Sequence, residues 1–239
     1  MHNRSESQLY VETNYRVLYE DASFLVVDKP APLPVHKVGR FKEKNLLSLI
    51  KKEYPSLQGE LRIINRLDSE TSGLVIVAKS QEAAGKLGIL FEKREVHKEY
   101  EALVLGVPDP KAGSITTCLG TTIQQGHRMR TPDPKGEEAR TDYEVLKVLG
   151  NTSLVKIVPR TGRMHQIRAH LSFMGHPIVG DKIYIDPTIF DRYVREGWQE
   201  DMRATVGAER LQLHAARLRF QHPETGEVVQ FDSAMTSIG

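Results

Sequence analysis

The sequence is poor in cysteine and has no long apolar segment. One cysteine, Cys118, among 239 residues excludes a disulfide within the chain and zinc sites built from several cysteines. No apolar run approaches the ~20 residues that cross a bilayer, and the polar N-terminal residues lack the apolar core of a signal peptide. We therefore expect a cytoplasmic protein without membrane association.

The chain also lacks an excess of charge of one sign. Its 33 Lys and Arg residues are nearly balanced by 31 Asp and Glu, which leaves a net charge of +2, so composition alone does not indicate a nucleic-acid-binding protein. The acidic residues are unevenly placed, however, because none lies between Glu144 and Asp181, where Lys, Arg and His recur. This stretch is either an ordinary solvated surface or a positive groove for phosphates.

Hydrophobic patterning predicts one α+β domain that has a mostly antiparallel mixed sheet flanked by helices. The polar residues 1–14 are predicted to be a flexible tail, and residues 15–239 to form a single domain. Apolar runs at 24–28 and 74–78 predict buried strands, and alternation from Tyr100 onward predicts further strands.

Helices are predicted between these strands. A short helix is expected around Leu46–Ile50, and Ser80 is placed to cap a helix that continues to Phe91. A further helix is expected from Gly162 to Met174, and the polar 186–210 segment is predicted to be a helical insertion.

Two segments carry clusters of chemically active side chains. In 65–73 a carboxylate, Asp68, and two hydroxyls precede a buried strand, a pattern that suits either a hydrogen-bonded turn or a catalytic loop. In 160–171 helical spacing turns Arg168 toward the apolar face, so either its stem packs there and its head reaches water or it pairs with a carboxylate such as Asp68 or Glu70.

Two further features have simpler explanations. Tyr100 opens a strand, where a half-buried tyrosine needs no functional role. His165 and His170 are five residues apart, off the spacing that places two ligands on one helical face, so we predict no metal site.

Taken together and in this order, these segments resemble the RluA family of pseudouridine synthases. The resemblance extends from residue 24 nearly to the C-terminus, and its two longest motifs are too specific for a chance match. The matching stretches are LVVDKP at 25–30, NRLDSETSGLVIVAK at 65–79, KEYEALVLG at 98–106, TGRMHQIRAHLSFMGHPIVGD at 161–181 and LHAARLRFQHP at 213–223.

The resemblance implies a pseudouridine synthase catalytic domain that isomerises one uridine of a structured rRNA or tRNA. Asp68 would be the essential carboxylate, attacking the ribose C1′ or removing the C2′ proton; uracil would detach at N1 and bond again through C5. Tyr100 would stack on the base and is the candidate to remove the C5 proton. Arg168 would pair with Asp68 and keep it ionised despite burial. An isomerisation implies no cofactor.

The resemblance also assigns an RNA-binding surface. The target base must be flipped out of folded RNA, at a cost of a few kcal/mol that stacking and phosphate contacts repay. The polar 120–140 segment would be a mobile loop that clamps the RNA, and the acid-free stretch would face it. We expect the protein to act as a monomer. The expected RNA-binding residues are Arg66, Thr71, Ile167, Leu171, Arg163, His165, Arg128 and Arg130.

Two departures from the family pattern affect these expectations. Asn65 stands where the family often has histidine, which leaves the support of the catalytic segment uncertain. The first strand begins near residue 16, so we expect no small basic domain of the S4 type before it, and we expect substrate choice to rest on the catalytic domain.

Two functions of other classes fit parts of the pattern. A glycoside hydrolase would use Asp68 and Glu70 as paired carboxylates, but residues two apart on an extended segment point to opposite faces. A non-catalytic RNA-binding protein would have no need for Asp68, Tyr100 and Arg168 together. Release of free uracil or sugar would favour the first of these alternatives.

Overall fold

The computed structural model describes residues 10–37, 43–124 and 126–235. These residues form two compact units. From Val11 onward the chain runs through the N-terminal unit, continues through the central unit and returns to the N-terminal unit. The N-terminal unit contains Val11–Glu99 and His214–Thr236, and the central unit contains Tyr100–Leu213. The single domain expected over residues 15–239 stays a prediction, and most of the expected tail, residues 1–9, lies outside the described residues.

The N-terminal unit is built on an inner strand that is buried along its whole length. β4 (Ser72–Ala78) pairs antiparallel with β2 (Phe24–Lys29) and parallel with β10 (Leu213–Gln221). Outside this trio, β1 (Arg16–Glu20) pairs with β2, β11 (Val228–Asp232) with β10, and β3 (Arg62–Ile63) with β4. Its inner position in the sheet and its burial on both faces explain why β4 is a continuous apolar run rather than an alternating one.

Two helices accompany this sheet. α1 (Leu46–Glu53) begins at Asn45, whose side chain accepts the Ser48 N–H. α2 (Gln81–Glu92) begins at Ser80, whose hydroxyl accepts the Ala83 N–H, so the predicted cap is confirmed. The apolar face of α2 packs into a core that includes Phe24, Ile76 and Leu87.

The central unit is an antiparallel sheet in the order β5, β9, β8, β6, β7. Its core includes Val104, Val155 and Ile157, against which Leu171 of the helix α3 packs. The strands are β5 (His97–Leu105), β6 (Ala112–Gln124), β7 (His127–Pro132), β8 (Glu137–Leu149) and β9 (Thr152–Pro159), and the helices are α3 (Gln166–Phe173), α4 (Pro187–Glu196) and α5 (Arg203–Val206).

The predicted α+β class with a mostly antiparallel sheet is confirmed, and two local predictions are corrected. The 120–140 segment is not a loop: it contains the end of β6, all of β7 and the start of β8. Its buried face has few apolar residues, such as Met129 and Ala139, so the alternation that predicts a strand is faint. No helix among the described residues is long and apolar enough to cross a membrane.

The second correction concerns the start of α3. The predicted helix from Gly162 begins only at Gln166, because His165 adopts a left-handed conformation with φ of 52° that a helix cannot include. Its end agrees with the prediction, since Gly175 follows the helix with φ of 81°.

Candidate active site

Asp68 lies in a short turn just before β4. The carbonyl oxygen of Asp68 accepts the Thr71 N–H at 3.1 Å, which closes the turn, and the side chain of Asp68 is half-buried. A carboxylate in this position is partly shielded from water yet still accessible. The turn that composition suggested is therefore present, and it does not exclude a catalytic role.

The backbone of this turn is tied to the segment that follows β2. Ser69 O accepts the Leu33 N–H at 2.8 Å and the Nζ of Lys29 at 3.2 Å. Lys29 is fully buried, and its ammonium also donates to Leu33 O at 2.8 Å and Pro30 O at 3.0 Å. Lys29, near the end of the LVVDKP motif, thus anchors the Asp68 turn to the segment that follows β2.

Asn65, three residues before Asp68, ties the start of the same segment to β4. Its side-chain amide donates to Leu74 O at 3.0 Å and accepts the Ile76 N–H at 2.8 Å. These two bonds imitate the pairing of a neighbouring strand, and Asn65 is buried where they form. The amide therefore supplies a firm support for the Asp68 segment at the position where the family often has histidine.

The far end of the turn is held by β10. Ser72 Oγ lies 2.9 Å from His214 Nδ1, and His214 Nε2 lies 3.0 Å from Ser233 O. Both Ser72 and His214 are buried. This chain of polar contacts links the start of β4 to β10 and to the residues after β11.

The other two residues that the sequence assigned to this unit differ sharply in exposure. Arg66 is exposed, as a residue that contacts RNA must be. Thr71 is 2% exposed, and its hydroxyl has no hydrogen-bond partner in the described part of the chain. A buried hydroxyl without a partner is costly, and the expected contact of Thr71 with RNA stays a prediction.

In the central unit, Tyr100 and α3 carry the remaining predicted residues. Tyr100 lies on β5 opposite Ile157 of β9 and packs, half-buried, on the central core. Ile167 and Leu171 are buried on α3, with Ile167 8% exposed and Leu171 inaccessible. Leu171 packs in the core of the central unit and Ile167 retains only a small exposed surface, so the expected contacts of both with the substrate stay predictions.

Arg168 is a buried arginine with a buried carboxylate partner. Its Nε donates to Asp181 Oδ2 at 2.7 Å and its Nη2 to Asp181 Oδ1 at 2.8 Å, and Asp181 has no exposed side-chain surface. Burial tends to raise the pKa of Asp181, but Arg168 and two backbone N–H groups outweigh it and lower that pKa. Two bonds do not exhaust the five N–H groups of a guanidinium, and the pairing with Asp68 stays a prediction.

The start of α3 is fixed by a buried amide. Gln166 Oε1 accepts the Thr161 hydroxyl at 2.7 Å and the Arg163 N–H at 3.0 Å, while Nε2 donates to Arg140 O and Thr141 Oγ1. These four bonds join the 160–165 segment, α3 and β8. These bonds explain why the polar side chain of Gln166 is buried rather than solvated.

His170 lies one turn further along α3. Its Nδ1 is 2.8 Å from Thr141 Oγ1, and its Nε2 has no partner among the described residues. Burial lowers the pKa of His170 to about 4, so the ring is neutral at pH 7. Within the described residues, no group of three or more His, Cys, Asp or Glu side chains could hold a metal ion.

The arginines expected to bind RNA are not equivalent. Arg130 donates from Nη1 to Leu119 O at 3.1 Å and from Nη2 to Glu137, and Arg163 donates to Glu137 Oε1 at 2.9 Å. Glu137 therefore neutralises both of them in this structure. Arg128 is exposed on β7, near the turn of the β6–β7 hairpin.

His165 contacts Tyr184, which lies three residues after the end of the acid-free stretch. Its ring packs edge-on against Tyr184 with centroids 5.8 Å apart, and its Nδ1 is 3.4 Å from the Tyr184 hydroxyl. That hydroxyl also accepts the Arg130 N–H at 2.8 Å, and the Tyr184 ring lies 5.1 Å from the guanidinium carbon of Arg168. Tyr184 thus contacts three of the predicted site residues.

With this geometry in view, comparison with known proteins is informative. Residues 23–173 match the model of the RNA pseudouridylate synthase family. The chain belongs to this family. The dual-specificity RNA pseudouridine synthase RluA of Escherichia coli O6:H1 is 34% identical over 218 residues, with 90% of each chain covered. Ribosomal large subunit pseudouridine synthase C of Escherichia coli K12 is 35% identical; the match covers 92% of this chain and 66% of that enzyme.

A solved structure agrees with the family assignment. Human RNA Pseudouridylate Synthase Domain Containing 1 superposes with a TM-score of 0.72 at 28% identity, covering 98% of this chain and 86% of the human chain. The protein is thus an RNA pseudouridine synthase that isomerises uridine in RNA. The prediction of an RNA-modifying isomerase is confirmed, and neither the hydrolase nor the non-catalytic alternative is supported.

Sequence reasoning missed several residues of this pseudouridine synthase. Asp181, Tyr184, Gln166 and Lys29 were not singled out, although three of them lie in motifs that were quoted for the resemblance. A signal for Asp181 existed, because it ends the longest acid-free stretch that was noted. Tyr184 offered no signal, since its importance comes only from contacts made in three dimensions.

Proposed function

We propose that Asp68 is the catalytic carboxylate of this pseudouridine synthase and that Arg168 and Tyr100 act with it. The observation that carries the proposal is the NRLDSETSG segment: it places a half-buried aspartate on a turn that hydrogen bonds of Lys29, Asn65 and Ser72 tie to the surrounding structure. A turn held on three sides keeps a reacting group in place without reorganisation during the reaction.

In the proposed reaction Asp68 attacks C1′ of the target ribose or removes the C2′ proton, and the C1′–N1 bond breaks. The detached uracil turns and bonds through C5 to C1′, which breaks the Asp68–C1′ bond on the first route and is accompanied by return of the proton to C2′ on the second. The C5 proton then leaves to a base, and N1 regains a proton. Tyr100 is the candidate for that base. Atoms and electrons balance without a cofactor because substrate and product are isomers.

Arg168 supports Asp68 in this proposal by keeping it ionised. The guanidinium is buried and carries a fixed positive charge, and a nearby cation opposes the rise in carboxylate pKa that burial causes. Exposed Arg66 supports the flipped nucleotide, and exposed Arg128 contacts phosphate. His165, Ile167 and Arg163 contribute further contacts to the RNA, whereas Arg130 acts mainly within the β6–β7 hairpin.

The substrate in this proposal is a structured RNA of the ribosomal or transfer class. The similarity to a synthase named for the ribosomal large subunit supports the first class, and the similarity to a dual-specificity enzyme leaves room for both. We further propose that the protein works as a monomer in the cytoplasm.

The residue assignment is tested by a matched pair of isosteric changes in one turn. Asp68→Asn should abolish pseudouridine formation while RNA affinity survives, because the amide keeps the shape but not the nucleophilic oxygen. Glu70→Gln, two residues away and also half-buried, should keep most of the activity. Pseudouridine and free uracil are quantified by mass spectrometry of digested RNA, alongside RNA binding. Appreciable turnover by Asp68→Asn would contradict the proposal.

A further inference from the structure

Asp181 makes more contacts than an ordinary ion-pair partner. Besides the two bonds from Arg168, its Oδ1 accepts the N–H of Ile183 at 3.1 Å and of Tyr184 at 3.0 Å. Its side chain has no exposed surface. Four donors thus fix the carboxylate in position and orientation, and the carboxylate in turn fixes the edge of the guanidinium that carries Nε and Nη2.

The backbone that presents Asp181 is equally constrained. Gly180 has φ of +82°, and a Cβ at this position would lie 2.0 Å from Arg210 O. Gly180 N also donates to Val206 O at 2.6 Å. The turn before Asp181 therefore fits closely against α5 and the residues after it, and it leaves the carboxylate little freedom to follow a displaced arginine.

Tyr184 completes the support on the face of the guanidinium. Its ring lies 5.1 Å from Arg168 Cζ, within the range of a cation–π interaction. Its hydroxyl is fixed by the Arg130 N–H at 2.8 Å. One residue thus restrains the plane of the guanidinium while Asp181 restrains its edge.

We propose that Asp181 and Tyr184 are positioning residues for the isomerisation: they hold the buried Arg168 guanidinium in the one orientation that serves the catalytic aspartate. The inference rests on the proposed function, in which Arg168 acts on Asp68. An unrestrained arginine has several rotatable bonds, and a planar fork acts on a carboxylate only when its plane is set. Neither residue touches the reacting atoms.

The test compares Asp181→Asn with Asp186→Asn in single-turnover assays over a range of pH. Asp186 caps α4 through the Thr188 N–H, a role that asparagine fills equally well, so this control should behave as wild type. Asp181→Asn should slow the reaction about 10- to 100-fold, the loss expected from misplacing a reacting group by about 1 Å. RNA affinity should be unchanged.

The pH profile separates positioning from a merely structural role. When Arg168 leaves its orientation, the cation that favours the ionised form of the reacting carboxylate is displaced, so the acidic limb of the rate profile should move to higher pH. A protein that is only less stable would have a smaller active fraction and an unmoved limb. An unmoved limb, or a wild-type rate for Asp181→Asn, would overturn the proposal.

A second pair of variants covers the outcome in which Asp181→Asn does not fold. Tyr184→Phe keeps the ring beside Arg168, whereas Tyr184→Leu removes it, and Tyr184 is only half-buried. The leucine variant should be slower than the phenylalanine variant and should show the same shift of the acidic limb. Equal rates and profiles for the two variants would overturn the role of the ring.

A double variant distinguishes failure of this inference from failure of the proposed function. In an Arg168→Leu background, Asp181→Asn should cause no further loss of rate, because residues that act through one group are not additive. A full further loss would show that Asp181 does not work through Arg168 and would overturn the inference alone. Activity of Asp68→Asn would instead refute the proposed function on which the inference rests.

Discussion

Gly73, the second residue of the buried strand β4 that follows the Asp68 turn, should be intolerant of any side chain. Its φ is +109°, and a Cβ there would lie 2.3 Å from Ala215 O, 2.7 Å from Ala215 N and 2.8 Å from Ala215 C. All three atoms are backbone of β10, so no side-chain rotation can relieve the contact. Since real Cβ atoms stay beyond 3.0 Å of such neighbours, β4 and β10 would have to move apart by 0.7 Å or more.

The cost of Gly73→Ala can be estimated from these contacts. The unfavourable φ costs about 1–3 kcal/mol, and forcing apart two packed strands adds about 1–3 kcal/mol. We expect the free energy of unfolding to fall by about 3–5 kcal/mol, at the upper end of the range for single substitutions. Asp68 lies in the same segment, so the rate per folded molecule should fall as well.

Urea denaturation of Gly73→Ala and of a matched control measures this effect. Gly85 lies inside α2 with no atom within 4 Å of an added Cβ. Gly85→Ala should therefore stabilise the protein, by about 0.5–1 kcal/mol, because alanine is the better helix former. A Gly73→Ala protein within about 0.5 kcal/mol of wild type would refute the close approach of β4 and β10.

Three further predictions follow from buried or exposed polar groups. Gln166→Leu should lower the free energy of unfolding by about 2–4 kcal/mol, measured by urea denaturation, because four hydrogen bonds lose their buried partner. Lowering the pH from 7 to 5 should reduce the free energy of unfolding by about 2 kcal/mol through His170. The reason is that His170 binds a proton below pH 6.5 in the unfolded chain, whereas its pKa in the folded chain is about 4. His170→Asn should remove this pH dependence, and its persistence would contradict the assignment. Arg128→Ala should reduce the salt dependence of RNA binding by a slope of about 0.7 for a contact to single-stranded RNA, whereas Arg130→Ala should lower the melting temperature; the opposite pattern would place the phosphate contact at Arg130.

Much of the fold could be predicted because it depends on local patterns. The apolar run of β4 and the Ser80 cap of α2 are visible in the sequence, and both were placed to within two residues. The β6–β7 hairpin was missed because its strands are polar on one face and only sparsely apolar on the other. The start of α3 was placed four residues early because a left-handed His165 has no sequence signature.

The residues of the candidate site likewise fall into those that local motifs predict and those that only three-dimensional contacts reveal. Asp68 and Arg168 could be selected from motifs, and the expectation that a buried arginine needs a carboxylate was sound. The partner that the central unit supplies, Asp181, could not be deduced, since helical spacing places a side chain on a face without identifying what meets that face. The motif likewise did not reveal that Leu171 is inaccessible, and its place at the pocket wall stays a prediction.

The most direct test of the account is a map of pseudouridines across ribosomal and transfer RNA from cells that lack this gene. The cells are complemented with the wild-type chain, with Asp68→Asn or with Glu70→Gln, each expressed at the same level. The account predicts that at least one RNA position loses pseudouridine in the deletion strain. That position should be restored by the wild-type and Glu70→Gln chains and should remain uridine with Asp68→Asn. Restoration of the modification by Asp68→Asn would contradict the central claim that Asp68 performs the chemistry.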